Sequence, residues 1–449
     1  MLLVASYIFY AAWDWRFLSI LFIIATVDYF CGLKIYESGD ERIRNFFLIL
    51  SITVNLCFLG FFKYFDFFST NLAAFLGHFS LKIHPLILKI ALPLGISFYT
   101  FRSMSYTIDV YTGKMKPTRN YLDYALFVAF FPVLLAGPIT KASDFLPQII
   151  SSRKLNLNSF YEGCYLMFWG LFQKVFIADN LTKIADPLFN SPPPYNGVMI
   201  LLAIYAFAFQ IYCDFAGYSN IARGLSKCMG FDIVVNFNLP YFSTNPKEFW
   251  RRWHISLSTW LHDYLFSPIA FSKRGWGKWG VIFALMVTFI LCGFWHGAAW
   301  TFIIWGAYQG ILLATQVLLE PRFKKMPLQK NIFVKKIWFF IKVVFFFHLV
   351  CFGWLLFRAQ SLTQAYRMTE ALICNFKFTN GSEIKFISIS LIFYTCILII
   401  IQIFQFLKND HLFILKTKPA LRAAFYVVCF CLLTIFGVSG GKEFIYFQF

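Results

Sequence analysis

The sequence predicts an all-α, polytopic integral membrane protein with about 10–12 transmembrane helices and one interfacial or re-entrant helical segment. Three observations predict it. Of 449 residues, 59% are hydrophobic and only 14% charged, where a soluble domain carries about 25% charged residues. The mean hydropathy is +0.65. Apolar runs of about 20 residues, the length that crosses a bilayer core as a helix, recur from end to end. These runs are continuous rather than alternating every second residue, which excludes a transmembrane β-barrel.

Taken in order, the chain opens on an apolar stretch, 1–12, that is too short to span and lacks a polar flank. It reads as the remainder of a longer helix, with an upstream span missing, or as a re-entrant segment. No basic region precedes Leu2-Leu3-Val4, so no cleavable signal peptide is expected. Candidate spans follow at 16–33, 44–66, 86–108, 121–139, 160–178, 197–217, 279–294, 298–319, 335–357, 386–407 and 420–437. Gly113 to Pro117, Pro192-Pro193-Pro194 and Lys273-Arg274-Gly275 punctuate them.

The net charge of +19 does not point to nucleic acid, because Lys and Arg are scattered through short loops with no basic stripe or reader motif. They write topology instead. Residues 320–336 carry Arg322, Lys324, Lys325, Lys330, Lys335 and Lys336 against Glu320, and 408–422 carry Lys408, Lys416, Lys418 and Arg422 against Asp410. Both loops are expected to be cytoplasmic, which puts 358–385 and the tail Phe444-Ile445-Tyr446-Phe447-Gln448-Phe449 outside. The 11 cysteines form no CxxC pair and no Cys/His cluster, so buried thiols are expected rather than a disulfide or a metal site. Walker A, GxGxxG, HExxH and GxSxG signatures are absent, which argues against NTP-driven pumps and serine hydrolases. A transporter or flippase would show an internal repeat and polar residues on opposing helices. No repeat is evident, and the polar residues cluster in 210–300.

Residues 218–278 break the pattern of spans with about sixty residues of mixed polarity. At about 100° per residue, a helix over 250–265 places Trp250, Trp253, Leu257, Trp260, Leu261, Tyr264 and Leu265 on one arc of roughly 140°. Arg251, Arg252, Ser256, Thr259, His262 and Asp263 occupy the rest, with Ile255 among them. His254 then faces the interior and His262 the solvent.

Two histidines in apolar, tryptophan-rich surroundings are the candidate chemistry. His254 lies in Phe249-Trp250-Arg251-Arg252-Trp253-His254-Ile255-Ser256, and His296 in Gly293-Phe294-Trp295-His296-Gly297-Ala298-Ala299-Trp300. An ionisable group at membrane depth costs a few kcal/mol, so it marks a functional site by default. His296 is either an imidazole bonded between helices or a base that takes a proton from a hydroxyl. Gly293 and Gly297 allow a substrate or another backbone to approach closely. His254 is either an interfacial anchor or a second site residue, and Arg251 and Arg252 beside it could meet phosphates or headgroups. Asp214 is either paired with a buried cation or lines a polar cavity. Asp109 and Arg102 invite the same two readings.

Gln210 to Gly217, Asn236-Phe237-Asn238-Leu239-Pro240-Tyr241, Glu248 to Trp260 and Gly293 to Trp300, in this order, resemble the membrane-bound O-acyltransferases (MBOAT). The likeness is to the bacterial alginate O-acetyltransferase branch, with the D-alanyl transferase of teichoic acids as a cousin. Pro93 to Phe101, Ala136-Gly137-Pro138-Ile139 and the terminal Phe-Gln-Phe are similar to that branch too. The resemblance implies one membrane domain over 1–449 with its catalytic core at 210–310, a ring of helices around a central tunnel, and the essential histidine at the narrow point. His296 matches the family's catalytic residue and His254 its second polar residue. Trp295 and Asn236, within the same motifs, join Arg251 and Asp214 as candidate substrate-binding residues.

There are departures. His262 stands where the family often has Arg, and Pro268-Ile269-Ala270-Phe271 lacks the family's two glycines. Met1 falls where the family's second helix is expected. The implied function is transfer of a short acyl group, acetyl first, from a cytoplasmic thioester to a hydroxyl of an exported polysaccharide or of a periplasmic SGNH-type relay partner. The implied location is the bacterial inner membrane. Acetyl-CoA would serve as donor substrate, with no tightly bound cofactor and no metal. D-alanyl transfer from a phosphopantetheine carrier protein is the alternative.

Overall fold

The computed structural model describes residues 1–81, 84–88, 91–154, 156–323, 331–379, 381–438, 440 and 444. In chain order its helices are α1 (Leu2–Asp14), α2 (Leu18–Glu37), α3 (Glu41–Leu59), α4 (Phe65–Gly77), α5 (Ile96–Tyr111), α6 (Tyr121–Ala129) and α7 (Phe131–Leu134). Next come α8 (Ala142–Ile150), α9 (Leu157–Leu171), α10 (Asp179–Phe189), α11 (Gly197–Cys228), α12 (Pro246–Trp250), α13 (Ile255–Leu261) and α14 (Ser267–Ser272). The chain continues with α15 (Lys278–His296), α16 (Trp300–Phe323), α17 (Ile332–Arg358), α18 (Leu362–Cys374), α19 (Gly381–Lys408) and α20 (Pro419–Phe436). No strand occurs among the described residues.

Eight helical stretches among the described residues are long and apolar enough to cross a membrane: 2–37, 41–77, 197–228, 278–296, 300–320, 332–358, 381–408 and 419–436. Of the three expected spans that are missing from this set, two are shortened or broken and one is longer than expected. The one expected at 86–108 has its helix begin at Ile96, after Pro93-Leu94-Gly95 forms a turn in which Gly95 takes φ +75°. A side chain at Gly95 would meet the Leu134 backbone. The one expected at 121–139 breaks at Phe130, ahead of Pro132, into α6 and the short α7. The one expected at 160–178 runs longer, from Leu157 to Phe189, through a π turn at Phe172–Ala178. The opening stretch is a helix that breaks at Asp14, whose carboxylate caps the next turn by accepting the Arg16 N–H. The bases of the 320–336 loop, Lys324, Lys325 and Lys330, lie outside the described residues.

Two apolar cores meet at the site. One packs α1, α2, α5 and α6 around Tyr and Phe rings; the other packs α9, α11, α15, α16 and α17. α11 is the spine of the second core. It lies against α9 closely enough that a Cβ on Gly217 would collide with the Gly170 carbonyl, and one on Gly224 with that of Gly163. Small-residue contacts of this kind let helix backbones approach in lipid, where burial of apolar surface alone does not drive association. Phe444 is buried, 5.5 Å from Phe215 and 5.1 Å from Tyr218 by ring centroids. The rest of the terminal motif lies outside the described residues.

Candidate active site

The helix expected over 250–265 is interrupted at its most important residue. α12 ends at Trp250, Arg251 to His254 turn, and α13 begins at Ile255. His254 sits at the N-cap of α13 with φ +42° and ψ +53°, a left-handed conformation that non-glycine residues rarely adopt. Such strain costs about 1–3 kcal/mol and persists where the surroundings over-determine it. Here the surroundings are the segment around Asn236. The Ile255 N–H donates to the Asn236 carbonyl at 2.9 Å, and the Asn238 N–H donates to the Arg252 carbonyl at 2.8 Å. The Asn236 Oδ1 accepts the Ser256 N–H at 3.2 Å and the Ser256 hydroxyl at 2.9 Å, and lies 3.3 Å from His254 Nδ1. A backbone N–H fixes that atom as an acceptor, so the His254 Nδ1 facing it carries the proton and Nε2 keeps the lone pair. The arc read from the sequence placed His254 inward, and the side chain is indeed buried.

Removing that acceptor has a defined cost. Asn236→Ala leaves two Ser256 donors and the His254 ring without their shared partner, at about 1–3 kcal/mol for a buried group left unsatisfied. The expected result is a lowered unfolding temperature in detergent, together with reduced turnover in the folded fraction.

His296 closes α15, and α16 returns after a short turn. A Cβ on Gly293 would fall on the Phe302 carbonyl, one on Gly306 on the Phe289 carbonyl, and one on Gly297 on the Phe302 ring. The two glycines flanking His296 therefore admit another backbone and a ring. Gly293→Val is expected to force α15 from α16 and destabilise by about 1–3 kcal/mol, as overpacking does; thermal unfolding of purified protein checks it.

Aromatic rings enclose the two histidines. His296 lies 4.8 Å from Trp295, 5.1 Å from Trp305 and 5.3 Å from Phe357. His254 lies 4.6 Å edge-on to Phe215 and 6.3 Å from Trp295. Trp295 thus stands beside both imidazoles. It belongs to a stack in which Phe101 lies 5.5 Å from Trp295 and 4.0 Å from Trp260, and the Trp260 N–H donates to the Phe101 carbonyl at 2.9 Å. The stack ties α15 to α5 and α13.

A cavity of about 40 Å³ opens on His296, lined also by Trp295, Lys63 and the Pro93 to Phe98 turn. Roughly 10–15 Å³ of such space holds one water, so this cavity has room for a small polar group beside His296. A larger cavity of about 570 Å³ lies between the 247–266 segment and α15 and α16. Its lining includes Lys247, Arg251, His262 and Glu320, and Leu285, Phe289 and Leu313 contribute apolar surface. Two buried donors in its lining, Trp250 Nε1 and Thr288 Oγ1, have no hydrogen-bond partner among the described residues. Trp250 lies 6.0 Å from Trp305, which in turn lies 5.1 Å from His296.

The structure thus gathers His296, His254 and Trp295. Arg251 is exposed and lines the larger cavity. Asp214, near the middle of α11, is paired: Lys174 Nζ lies 2.7 Å from it and 2.7 Å from Asp179. Of the two readings open for Asp214, the buried cation is the one found. Asp109 accepts from Tyr264 at 2.9 Å, and Arg102 donates to the Phe127 carbonyl, so these two are not each other's partners. His262 is exposed and lies 2.9 Å from Asp263.

Sequence reasoning missed Lys63. It sits in a π turn, Gly60–Tyr64, between α3 and α4. Its ammonium donates to the carbonyls of Trp295 at 2.7 Å and His296 at 3.1 Å. The signal was present as a lysine inside Phe61-Phe62-Lys63-Tyr64-Phe65, but placed at the end of an expected span it reads as an interfacial anchor.

This fold and site define a class. Residues 44–358 match the model of MBOAT, the membrane-bound O-acyltransferase family. The chain is 42% identical over 378 residues to a probable alginate O-acetylase of Azotobacter vinelandii, covering 83% of this chain and 72% of that protein. It is 32% identical to a peptidoglycan O-acetyltransferase of Helicobacter pylori, covering 100% of this chain and 91% of that protein. A teichoic acid D-alanyltransferase of Bacillus subtilis is 32% identical over 52% of this chain and 60% of its own length. The chain belongs to the membrane-bound O-acyltransferase family and is a multi-pass membrane O-acyltransferase.

Proposed function

We propose that the chain moves an acetyl group from a cytoplasmic thioester, acetyl-CoA, across the bacterial inner membrane to a hydroxyl of an exported polysaccharide. The acetyl group reaches that hydroxyl directly or by way of a periplasmic SGNH-type relay partner. The observation that carries this reading is the cavity at His296, which admits a hydroxyl beside the imidazole and is lined also by Trp295, Phe98 and Lys63. His296 takes the proton of the acceptor hydroxyl as its oxygen attacks the thioester carbonyl, and the thiol leaves with a proton returned from the imidazolium. His254, held by Asn236, keeps Trp295 and the reacting groups in register.

The larger cavity supports a thioester donor. Lys247 and Arg251 suit the phosphates of CoA, the cavity's apolar surface suits the pantetheine arm, and the donors on Trp250 and Thr288 suit that arm's amide carbonyls. Its volume is in the range of roughly 300–1,000 Å³ typical of small-molecule sites. Alginate and peptidoglycan are the acceptors named for the two O-acetylating relatives, so a glycan hydroxyl is the acceptor class.

The test is transfer from radiolabelled acetyl-CoA, supplied to the cytoplasmic face of membrane vesicles carrying the chain. Label in an alkali-labile glycan fraction supports the reading. Label appearing only from a carrier-protein thioester would move it to the D-alanyl type of donor, and none from either would overturn it.

A further inference from the structure

We propose that Lys63 is a further catalytic residue, whose ammonium stabilises the oxyanion formed when the acceptor oxygen attacks the thioester. The proposal rests on the assignment of His296 as the base. A lysine in a helical stretch long and apolar enough to cross the membrane, Glu41–Gly77, is costly unless it is paired or used. Lys63 has no carboxylate within ion-pair distance among the described residues. It meets α15 at its C-terminal end, where the last carbonyls are unpaired and the helix dipole is negative. Those carbonyls belong to Trp295 and His296 and lie 2.7 and 3.1 Å from Nζ. An ammonium has three N–H donors. Two are taken by α15, and Lys63 together with His296 lines the small cavity, so the third N–H is left for a group bound there. A π turn, the feature that inserts one extra residue into a helix and recurs at functional sites, spans Gly60–Tyr64 and carries Lys63.

The chemistry closes. As the hydroxyl oxygen bonds to the thioester carbon and His296 takes its proton, the carbonyl π electrons move onto oxygen. The Lys63 N–H donates to that oxygen without transferring its proton. When the carbonyl re-forms, the carbon–sulfur bond breaks, and the thiolate takes the proton back from His296. The products are an ester and a thiol. A donor aimed at the developing charge in a dry site acts on turnover rather than on binding.

The test compares Lys63→Met, Lys63→Arg and Lys63→Gln with wild type, using labelled acetyl-CoA and equal amounts of folded protein. Lys63→Met is expected to lower turnover by about 10²–10³-fold, the effect of removing one oxyanion donor. The KM for acetyl-CoA is expected to stay within about threefold, and Lys63→Arg is expected to recover much of the loss by keeping the charge. A purely structural cap would reduce the amount of folded protein but leave turnover per folded molecule unchanged, and that result overturns the proposal. So does Lys63→Met with a raised KM and unchanged turnover. If Lys63→Met does not fold, Lys63→Gln against Lys63→Arg decides by the same split. Wild type without transfer, whatever the variants do, would instead overturn the reading of His296 and its donor.

Discussion

His296→Ala is expected to lower acyl transfer by about 10²–10⁴-fold, the contribution of a positioned general base, while the protein remains folded. The reason is local. The imidazole ends α15, meets Trp295, Trp305 and Phe357, and opens on the small cavity. Trp305 and Phe357 are set by α16 and α17, and Trp295 is held in the stack with Phe101, so truncation leaves a void rather than a collapsed wall. Turnover measured beside the unfolding temperature separates lost chemistry from lost structure. A fall in unfolding temperature matched by a proportional fall in activity would mean that His296 only packs α15.

Lys174→Met is expected to be the most destabilising of the substitutions considered. Lys174 bridges Asp179 and Asp214, one on α10 and one on α11, at 2.7 Å to each. Both carboxylates have side chains only 5% exposed. Removing the shared cation takes the bridging charge from two buried carboxylates, and breaking a buried pair in this way costs about 3–5 kcal/mol. The yield of monodisperse protein after detergent extraction measures it. Adding Asp214→Asn to Lys174→Met should recover part of the loss, because one of the stranded charges is gone; no recovery would show that the pair does not hold α11.

Long apolar stretches were legible because length and composition alone define a span. The stretches that broke did so at Pro93-Leu94-Gly95 and at Phe130 ahead of Pro132, where a hydropathy window still reads apolar residues and does not register the turn. The inward placement of His254 was legible from a helical arc, although the helix is interrupted there. What bends it is Asn236, 18 residues upstream, and periodicity carries no information about such a contact. Asp214 could not be assigned from sequence for the same reason: its partner Lys174 is 40 positions away and projects from the π turn Phe172–Ala178. Lys63 shows the converse case. Its place in an apolar run was visible, but only the packing of the α15 end against the π turn and α4 reveals what its ammonium touches.

The central claim is that His296 is the base for acyl transfer from a cytoplasmic thioester. The most direct measurement is single-turnover transfer of label from acetyl-CoA to an alkali-labile glycan or protein fraction, with wild type beside His296→Ala and His254→Ala at equal folded amounts. The expected result is transfer in wild type, none above background in the His296 variant, and a smaller loss in the His254 variant. Equal transfer by wild type and His296→Ala would contradict the account.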